Sequence, residues 1–173
     1  MSPRPPIPYD FLPQVPALTV ESDDLRDGER VPEAQVFDDW GMKGGNLSPH
    51  LRWSGAPEGT RSYAVTCYDP DAPTGGGFWH WLLFDLPADL TELPAGAGAP
   101  DTKLGVHARN DFSTKAYGGA APPPGHPHRY LFAVHALGVD SLGVDSDTPA
   151  NVVGFNITAN TLARGFITCV YET

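Results

Sequence analysis

Short runs of alternating or continuous apolar residues, separated by glycine and proline, dominate the chain. Runs of about four to eight such residues between turn residues predict strands. The predicted strands cover residues 18–21, 35–38, 50–53, 62–67, 82–86, 129–137 and 166–171. We therefore expect a mainly β protein with antiparallel pairing.

One stretch near the C-terminus has the pattern of a helix. Residues 150–163 are rich in apolar side chains, Thr148 can serve as the N-cap with Pro149 in the first turn, and Gly165 can end the helix. Nineteen glycines and nineteen prolines favour turns and short strands elsewhere. We predict a proline-rich arm over residues 1–16 and a single domain over residues 17–173, which is long enough for a real core.

The charge balance excludes several classes of partner. The net charge is −10, from 11 basic and 21 acidic residues, and the basic residues form no cluster. Nucleic-acid binding and attraction to anionic membranes both need such a cluster. We therefore expect no nucleic-acid partner and no membrane association.

The cysteines and the lengths of the apolar runs indicate the cellular compartment of the protein. Cys67 and Cys169 both lie in predicted strands, which favours buried free thiols over a disulfide. No apolar run reaches the roughly 18 residues of a membrane span, and the first sixteen residues lack the apolar core of a signal peptide. The sequence predicts a cytoplasmic protein.

Residues 68–81 join two predicted strands through an unusually dense connection. A hairpin needs only about two to five loop residues, so this one indicates a site where two strand ends meet. Pro70 and Pro73 stiffen the segment that carries Asp69 and Asp71. One carboxylate is expected to face a pocket and the other to hold the loop through backbone hydrogen bonds; alternatively, both only make turns.

Histidines suggest the chemistry of the pocket. His80 lies between two tryptophans, on the opposite strand face from both, and is either a pocket residue near a carboxylate or an ordinary core histidine. His128 follows a loop containing Gly119. Backbone amides of such a loop, together with histidines, can bind an anion without a lysine. The sequence shows no compact metal-ligand cluster and no activated nucleophile, although acid–base chemistry by Asp69 and His80 stays open.

Two motifs carry a family resemblance. The first is Asp-Pro-Asp-Ala-Pro at residues 69–73 with Phe-Trp-His-Trp at 78–81, and the second runs from Tyr-Gly-Gly at 117–119 to His-Arg-Tyr at 128–130. Together they resemble the phosphatidylethanolamine-binding protein family, and more narrowly its bacterial Raf-kinase-inhibitor-like branch. The resemblance implies two antiparallel sheets, one large and one small, with one or two peripheral helices.

The resemblance also implies a small pocket for phosphate-like and other anionic head groups. Asp69, His80, His128 and Tyr130 would line it. Its walls would be Pro73, Phe78, Gly119, Ala121 and Pro123. The family pattern further suggests a cis bond between Ala72 and Pro73. Two features depart from it: Ala121 stands where a glycine is common, and the chain has no final helix like that of the animal proteins, so we do not expect kinase regulation to transfer.

These observations predict a non-catalytic binding protein for phosphatidylethanolamine-like, phosphorylated or other anionic head groups, without a cofactor or a metal. In this hypothesis doubly protonated His80 and His128 and the amide of Gly119 donate to the anion, and Asp69 orients a histidine or accepts from a ligand ammonium. Binding should then tighten below about pH 6.5, the usual histidine pKa. The alternatives are a protein-interaction module that inhibits a kinase or protease, and an acid–base or phosphohydrolase enzyme. A homodimer is compatible with the sequence.

Overall fold

The computed structural model describes residues 3–173 and shows a mainly β protein with two antiparallel sheets. The strands are β1 (Thr19–Glu21), β2 (Leu51–Ser54), β3 (Ser62–Asp69), β4 (Phe78–Pro87), β5 (Glu92–Leu93), β6 (Val106–His107), β7 (His128–Leu137) and β8 (Thr161–Tyr171), with helix α1 (Ala150–Asn160) and short 3-10 helices at Pro8–Asp10 and Glu33–Gln35.

The two sheets have the strand orders β6-β4-β3-β7-β8 and β1-β2-β5. In the large sheet the long central strands β3, β4 and β7 are almost entirely buried, which explains their continuous apolar sequences. The prediction of one large and one small antiparallel sheet is confirmed.

Two apolar layers cover the two faces of the large sheet. The main core lies toward the small sheet, where Trp53 packs against Tyr63 with ring centroids 5.4 Å apart and Trp81 is fully buried. On the other face, Val153 and Ile157 of α1 pack over Leu82 and Phe84 of β4. Burying large apolar side chains such as these contributes roughly 1.5–3 kcal/mol each, so both layers hold β3 and β4 in place.

The helix differs from the prediction at both ends. Pro149 is the N-cap residue, and Thr148 instead bonds to Asp145. The helix ends at Asn160, and residues 161–171 form β8, because this segment pairs with β7 along its whole length. Gly165 lies within β8 rather than at a helix end, and it is a glycine because a Cβ there would collide with the carbonyl oxygen of Leu18.

Two further predictions of local structure are wrong. The segment 35–38 is not a strand: a 3-10 helix ends at Gln35, and only an isolated bridge joins Val36 to Ala120. Residues 92 and 93, outside every predicted strand, form β5, whose Leu93 pairs with Leu51 of β2. A two-residue strand has too few positions to show a periodic pattern.

The two cysteines follow the prediction. Cys67 in β3 and Cys169 in β8 are buried free thiols, and burial raises the pKa of Cys169 to about 12. Both thiols are therefore shielded, unreactive core groups.

Candidate functional site

The end of β3 and the starts of β4 and β7 meet at one end of the large sheet, beside a cavity of about 610 Å³. A cavity of this size falls in the usual range for small-molecule sites. It is lined by Trp40, Gly41, Met42, Asp69, Ala72, Pro73, Thr74, Phe78, His80, Phe112, Ala121, Pro122, Pro123, Pro124, His128 and Thr173.

Seven of the nine residues predicted for the site line this cavity: Asp69, Pro73, Phe78, His80, Ala121, Pro123 and His128. Two do not. Tyr130 lies behind His80, with the two ring centroids 5.2 Å apart, and Gly119 lies behind the wall against the segment 35–37.

The loop between β3 and β4 reverses the chain without a cis peptide bond. Residues 3–173 contain none, so the predicted cis bond between Ala72 and Pro73 is wrong. Gly75 and Gly77 adopt φ angles of 79° and 72°, which supply the reversal instead. The hydroxyl of Tyr68 donates to the carbonyl of Gly76 at 2.8 Å and holds the loop on the sheet.

Asp71 anchors this loop from outside the cavity. Its carboxylate accepts two hydrogen bonds from the Arg129 guanidinium, at 2.9 and 2.8 Å, and one from the Arg129 backbone N–H at 2.8 Å. Burial alone would raise the pKa of Asp71, but these bonds hold it below its usual range. One carboxylate, Asp69, faces the cavity, and the other, Asp71, holds the loop, as predicted. The hold differs from the prediction, because Asp71 bonds mainly to a guanidinium and only once to a backbone N–H.

Asp69 forms a buried pair with His128. Its Oδ2 lies 2.7 Å from Nδ1 of His128, and the two side chains are 3% and 2% exposed. The other oxygen, Oδ1, accepts from the backbone N–H of Asp71 at 2.7 Å. Nδ1 of His128 must therefore carry a proton to donate to the carboxylate, and Nε2 is the nitrogen left for the cavity.

His80 is oriented by the second motif. Its Nδ1 lies 2.9 Å from the carbonyl oxygen of Gly118 and 3.1 Å from that of Gly119. Since carbonyls only accept, Nδ1 carries a hydrogen and Nε2 has no partner within the described chain. Burial lowers the pKa of His80, and the negative charge of Asp69, which raises it, only partly offsets this effect. The ring therefore favours its neutral form more than an exposed histidine does.

The amide of Gly119 is not available to a ligand. It donates to Oδ1 of Asn46 at 2.8 Å, and a Cβ at position 119 would collide with the backbone of residues 35–37. The prediction that this amide donates to an anion is therefore wrong. Gly119 is needed because two loops approach closely here, not because a ligand does.

Tyr130 is a buried support rather than a lining residue. It is 1% exposed, and its hydroxyl has no hydrogen-bond partner of good geometry among residues 3–173. Burial raises the pKa of Tyr130, so the phenol stays protonated. Its ring meets the edge of His80 and limits the movement of that imidazole.

Aromatic rings form one wall of the cavity, and of these only Phe78 was predicted from the sequence. Phe37 stacks on Phe112 at 4.1 Å, Phe78 and Trp40 pack edge-on against Phe112, and Trp40 is 63% exposed at the rim. Trp40 has a φ of 55°, unusual for a residue with a large side chain. Phe37 and Trp40 follow the second 3-10 helix, Phe78 begins β4 and Phe112 follows β6, so no local pattern connects the rings.

The other buried histidines have structural partners. His107 accepts from the indole N–H of Trp81 at 2.9 Å, and burial lowers its pKa to about 4. His135 accepts from Nε of Arg164 at 3.1 Å and bonds to Thr66. His50 lies 2.6 Å from a carboxylate oxygen of Glu92 in the small sheet.

A second cavity, of about 290 Å³, lies on the opposite face between α1 and the N-terminal arm. Tyr68 and Trp79 line it, while their strand neighbours Asp69, Phe78 and His80 line the first cavity. Its one histidine, His135, is already hydrogen-bonded at both nitrogens. We therefore take the first cavity as the candidate site.

Residues 3–173 contain no group of three or more His, Cys, Asp or Glu side chains placed to hold a metal ion. Within the same residues, no helix is long and apolar enough to cross a membrane.

The fold and the two motifs around the cavity define a known class of protein. A model of the phosphatidylethanolamine-binding protein family matches residues 21–172. The chain therefore belongs to this family, as its motifs indicated.

Two bacterial relatives show which branch of the family the chain resembles. The chain is similar to the Escherichia coli UPF0098 protein YbhB, with 48% identity over 156 residues that cover 87% of this chain and 98% of YbhB. It is also similar to the UPF0098 protein YbcL of the same organism, with 48% identity over 167 residues that cover 94% and 91% of the two chains. The predicted bacterial branch is thereby confirmed.

Solved structures agree with this placement. The crystal structure of E. coli YbcL, a member of the family, matches with a TM-score of 0.87 and 46% identity over 90% of this chain and 98% of that one. A homologue from Chlamydia trachomatis, at 23% identity and a TM-score of 0.75 over 91% and 98% of the two chains, shares the fold.

Proposed function

We propose that this protein is a non-catalytic binding protein whose cavity takes a small anion or a phosphorylated head group. The observation that carries the proposal is the pair of buried imidazoles at one cavity, each with Nδ1 hydrogen-bonded to the protein and Nε2 left over. Two fixed imidazoles can recognise the oxygens of a phosphate-like group. The aromatic and proline walls would contact the rest of the ligand.

The chemistry of the lining favours binding over turnover. Thr74 is tied to the loop through the carbonyl of Gly77, and both cysteines are buried elsewhere. The Asp69–His128 pair leaves Nε2 of His128 able to act as a base, but among residues 3–173 no serine or cysteine lines the cavity for it to activate. An enzyme would show turnover of a phosphate ester that is lost in His80→Ala.

The test is a calorimetric titration of phosphoethanolamine and inorganic phosphate at about pH 5.5 and about pH 8. The wild type is compared with His80→Ala and with His50→Gln, a control that changes a buried histidine outside the cavity. We expect binding that is lost in His80→Ala and kept in His50→Gln. Absence of binding in the wild type at both pH values would refute the proposal.

A protein partner is the second candidate, because Trp40 is exposed at the cavity rim and tryptophans at such positions often anchor interfaces. In that case the protein would act as an inhibitor or regulator of a kinase or protease, or would pair with a second copy. A stoichiometric complex that Trp40→Ala abolishes, without head-group binding, would favour it. The buried free thiols support the proposed cytoplasmic location.

A further inference from the structure

We infer that the second cavity is a separate binding site for a small, neutral aromatic molecule of one or two rings. This site does not depend on the anion proposed for the first cavity, because the two cavities lie on opposite faces of the large sheet. Three features of the second cavity point to such a ligand: its ordered aromatic walls, its size, and its uncharged lining.

Two aromatic rings of the large sheet form the floor of the second cavity. The rings of Tyr68 and Trp79 pack with their centroids 4.7 Å apart, and the indole N–H of Trp79 donates to Oδ1 of Asn151 at 2.8 Å. Gly154 of α1 makes room for this indole, because a Cβ there would lie 2.9 Å from Cζ2 of Trp79. The floor is therefore ordered before a ligand arrives, which reduces the entropy lost on binding.

The N-terminal arm forms the opposite wall. The ring of Tyr9 stacks on the guanidinium of Arg164 at 4.6 Å and packs on Phe166 with ring centroids 4.9 Å apart. The arm is attached to β8 through the backbone of Arg164, which donates to the carbonyl of Pro16 at 3.0 Å and accepts from the N–H of Leu18 at 2.9 Å. The cavity is therefore a slot between the sheet, the helix and an anchored arm.

The volume of the slot limits the size of its ligand. At about 290 Å³ it lies just below the roughly 300–1,000 Å³ usual for small-molecule sites, whereas about 150 Å³ is enough for benzene in an apolar cavity. A molecule of one or two aromatic rings therefore fits. Phe155 lines the slot and is 72% exposed, so a bound ring would cover apolar surface that now faces water.

The lining offers no charge that could compensate an ion. No lysine, arginine, aspartate or glutamate is among the lining residues that the structure describes. Nδ1 of His135 accepts from Nε of Arg164 at 3.1 Å, and since a guanidinium only donates, His135 is neutral. Its Nε2 then donates to Oγ1 of Thr66 at 2.9 Å. Burying an ion beside such groups is unfavourable.

The polar groups left for a ligand are also neutral. Within the described chain, the side-chain amide nitrogen of Asn151 and the hydroxyl of Thr158 make no hydrogen bond, and the Tyr9 hydroxyl lies beside Thr66. Arg164 is not part of the lining, because the ring of Tyr9 covers it. An anionic ligand therefore cannot pair with this guanidinium, and its positive charge disfavours a cation despite the aromatic walls.

The test is a calorimetric titration of indole, indole-2-carboxylate and choline into the protein at about pH 7. We expect indole to bind one-to-one with a Kd of about 1 mM or lower, and about tenfold or more tightly than either ion. Equal or tighter binding of indole-2-carboxylate or choline would overturn the neutral class of ligand. Absence of indole binding up to about 10 mM would overturn the site itself.

Two variants and a control locate the bound indole. Thr158→Phe fills the slot from α1 and should weaken indole binding about tenfold or more, whereas Val152→Phe, at a position 44% exposed on the same helix and outside the lining, should change it by no more than about twofold. Trp40→Ala, at the rim of the first cavity, should also keep indole binding. Loss of binding in Trp40→Ala with binding kept in Thr158→Phe would place indole in the first cavity and refute the inference.

A crystal structure with 5-bromoindole decides the location even if Thr158→Phe does not fold, because the anomalous signal of bromine marks the ligand directly. A bromine peak between Trp79 and Phe155 would support the second site. A peak found only elsewhere would overturn it.

Discussion

The Arg129 clamp on Asp71 should be a major contributor to stability, and Arg129→Met tests it. Methionine keeps an unbranched apolar side chain but leaves the buried Asp71 carboxylate with only the backbone N–H of residue 129. The two side chains are 15% and 2% exposed, so solvent cannot replace the lost guanidinium. Breaking a buried pair from one side costs about 3–5 kcal/mol.

The expected effect is large enough to measure by denaturant unfolding at about pH 7, where each kcal/mol also lowers the Tm by about 2–4 °C in a chain of this size. Arg61→Met is the matched control. It breaks an Arg–Asp140 pair whose side chains are 56% and 72% exposed. Exposed pairs of this kind contribute about 0–1 kcal/mol.

The pH dependence gives a second check. Because the pKa of Asp71 is lowered in the folded protein, its stabilisation is present above the unfolded value of about 3.9 and is lost as the pH falls through the folded pKa. The difference between wild type and Arg129→Met should shrink in that range. A loss below about 1 kcal/mol at pH 7, or a loss that does not shrink at low pH, would refute the reasoning.

Three further perturbations test other parts of the structure. Burial lowers the pKa of His107 to about 4, so this histidine should contribute a loss of about 3 kcal/mol in stability as the pH drops from about 6.5 to 4. His107→Gln should remove this share of the pH dependence in pH-resolved unfolding, and an unchanged slope would contradict it. Gly119→Ala should lower the free energy of unfolding by about 2–4 kcal/mol, because the added Cβ would collide with backbone atoms. Gly76→Ala is the control: open space surrounds that position, so the free energy of unfolding should change by no more than about 0.5 kcal/mol. Similar losses in the two variants, measured by thermal unfolding, would refute the packing argument. Cys67 and Cys169 should react with a thiol reagent only after unfolding, and rapid modification of the folded protein would show that they are accessible.

The sequence was sufficient for the main strands and for the acidic and imidazole side chains of the cavity, although only seven of its sixteen lining residues were predicted. The apolar run at 62–67 became the core of β3, and the dense segment 68–81 delivers Asp69, Phe78 and His80 to one cavity.

Side-chain alternation predicted His80 on the opposite face from both tryptophans, and this holds for Trp79, which lines the second cavity. It is wrong for Trp81, because a register shift between Cys67 and Tyr68 interrupts the alternation, and Trp81 packs in the same core as Tyr130, the ring that contacts His80.

Errors arose where distant segments overrode a local preference. The helix pattern at 150–163 ends early because residues 161–171 gain a full ladder of hydrogen bonds with β7. Gly119 has the composition of an anion-binding loop, but its amide is bonded to Asn46, 73 residues earlier in the chain. The contact of Trp40 with Phe112 depends on two distant connections meeting, which no sequence window shows.

The sequence by itself determined the class of fold, the family and the identity of the acidic and imidazole groups at the site, since these depend on residue types at short spacing. Only the tertiary structure decided which nitrogen of each histidine faces the cavity, which amide is already bonded, and that Asp71 holds the loop through Arg129. The reason is physical: a hydrogen bond depends on where its partner lies in space, and here the partners of the site come from segments 38 to 73 residues away.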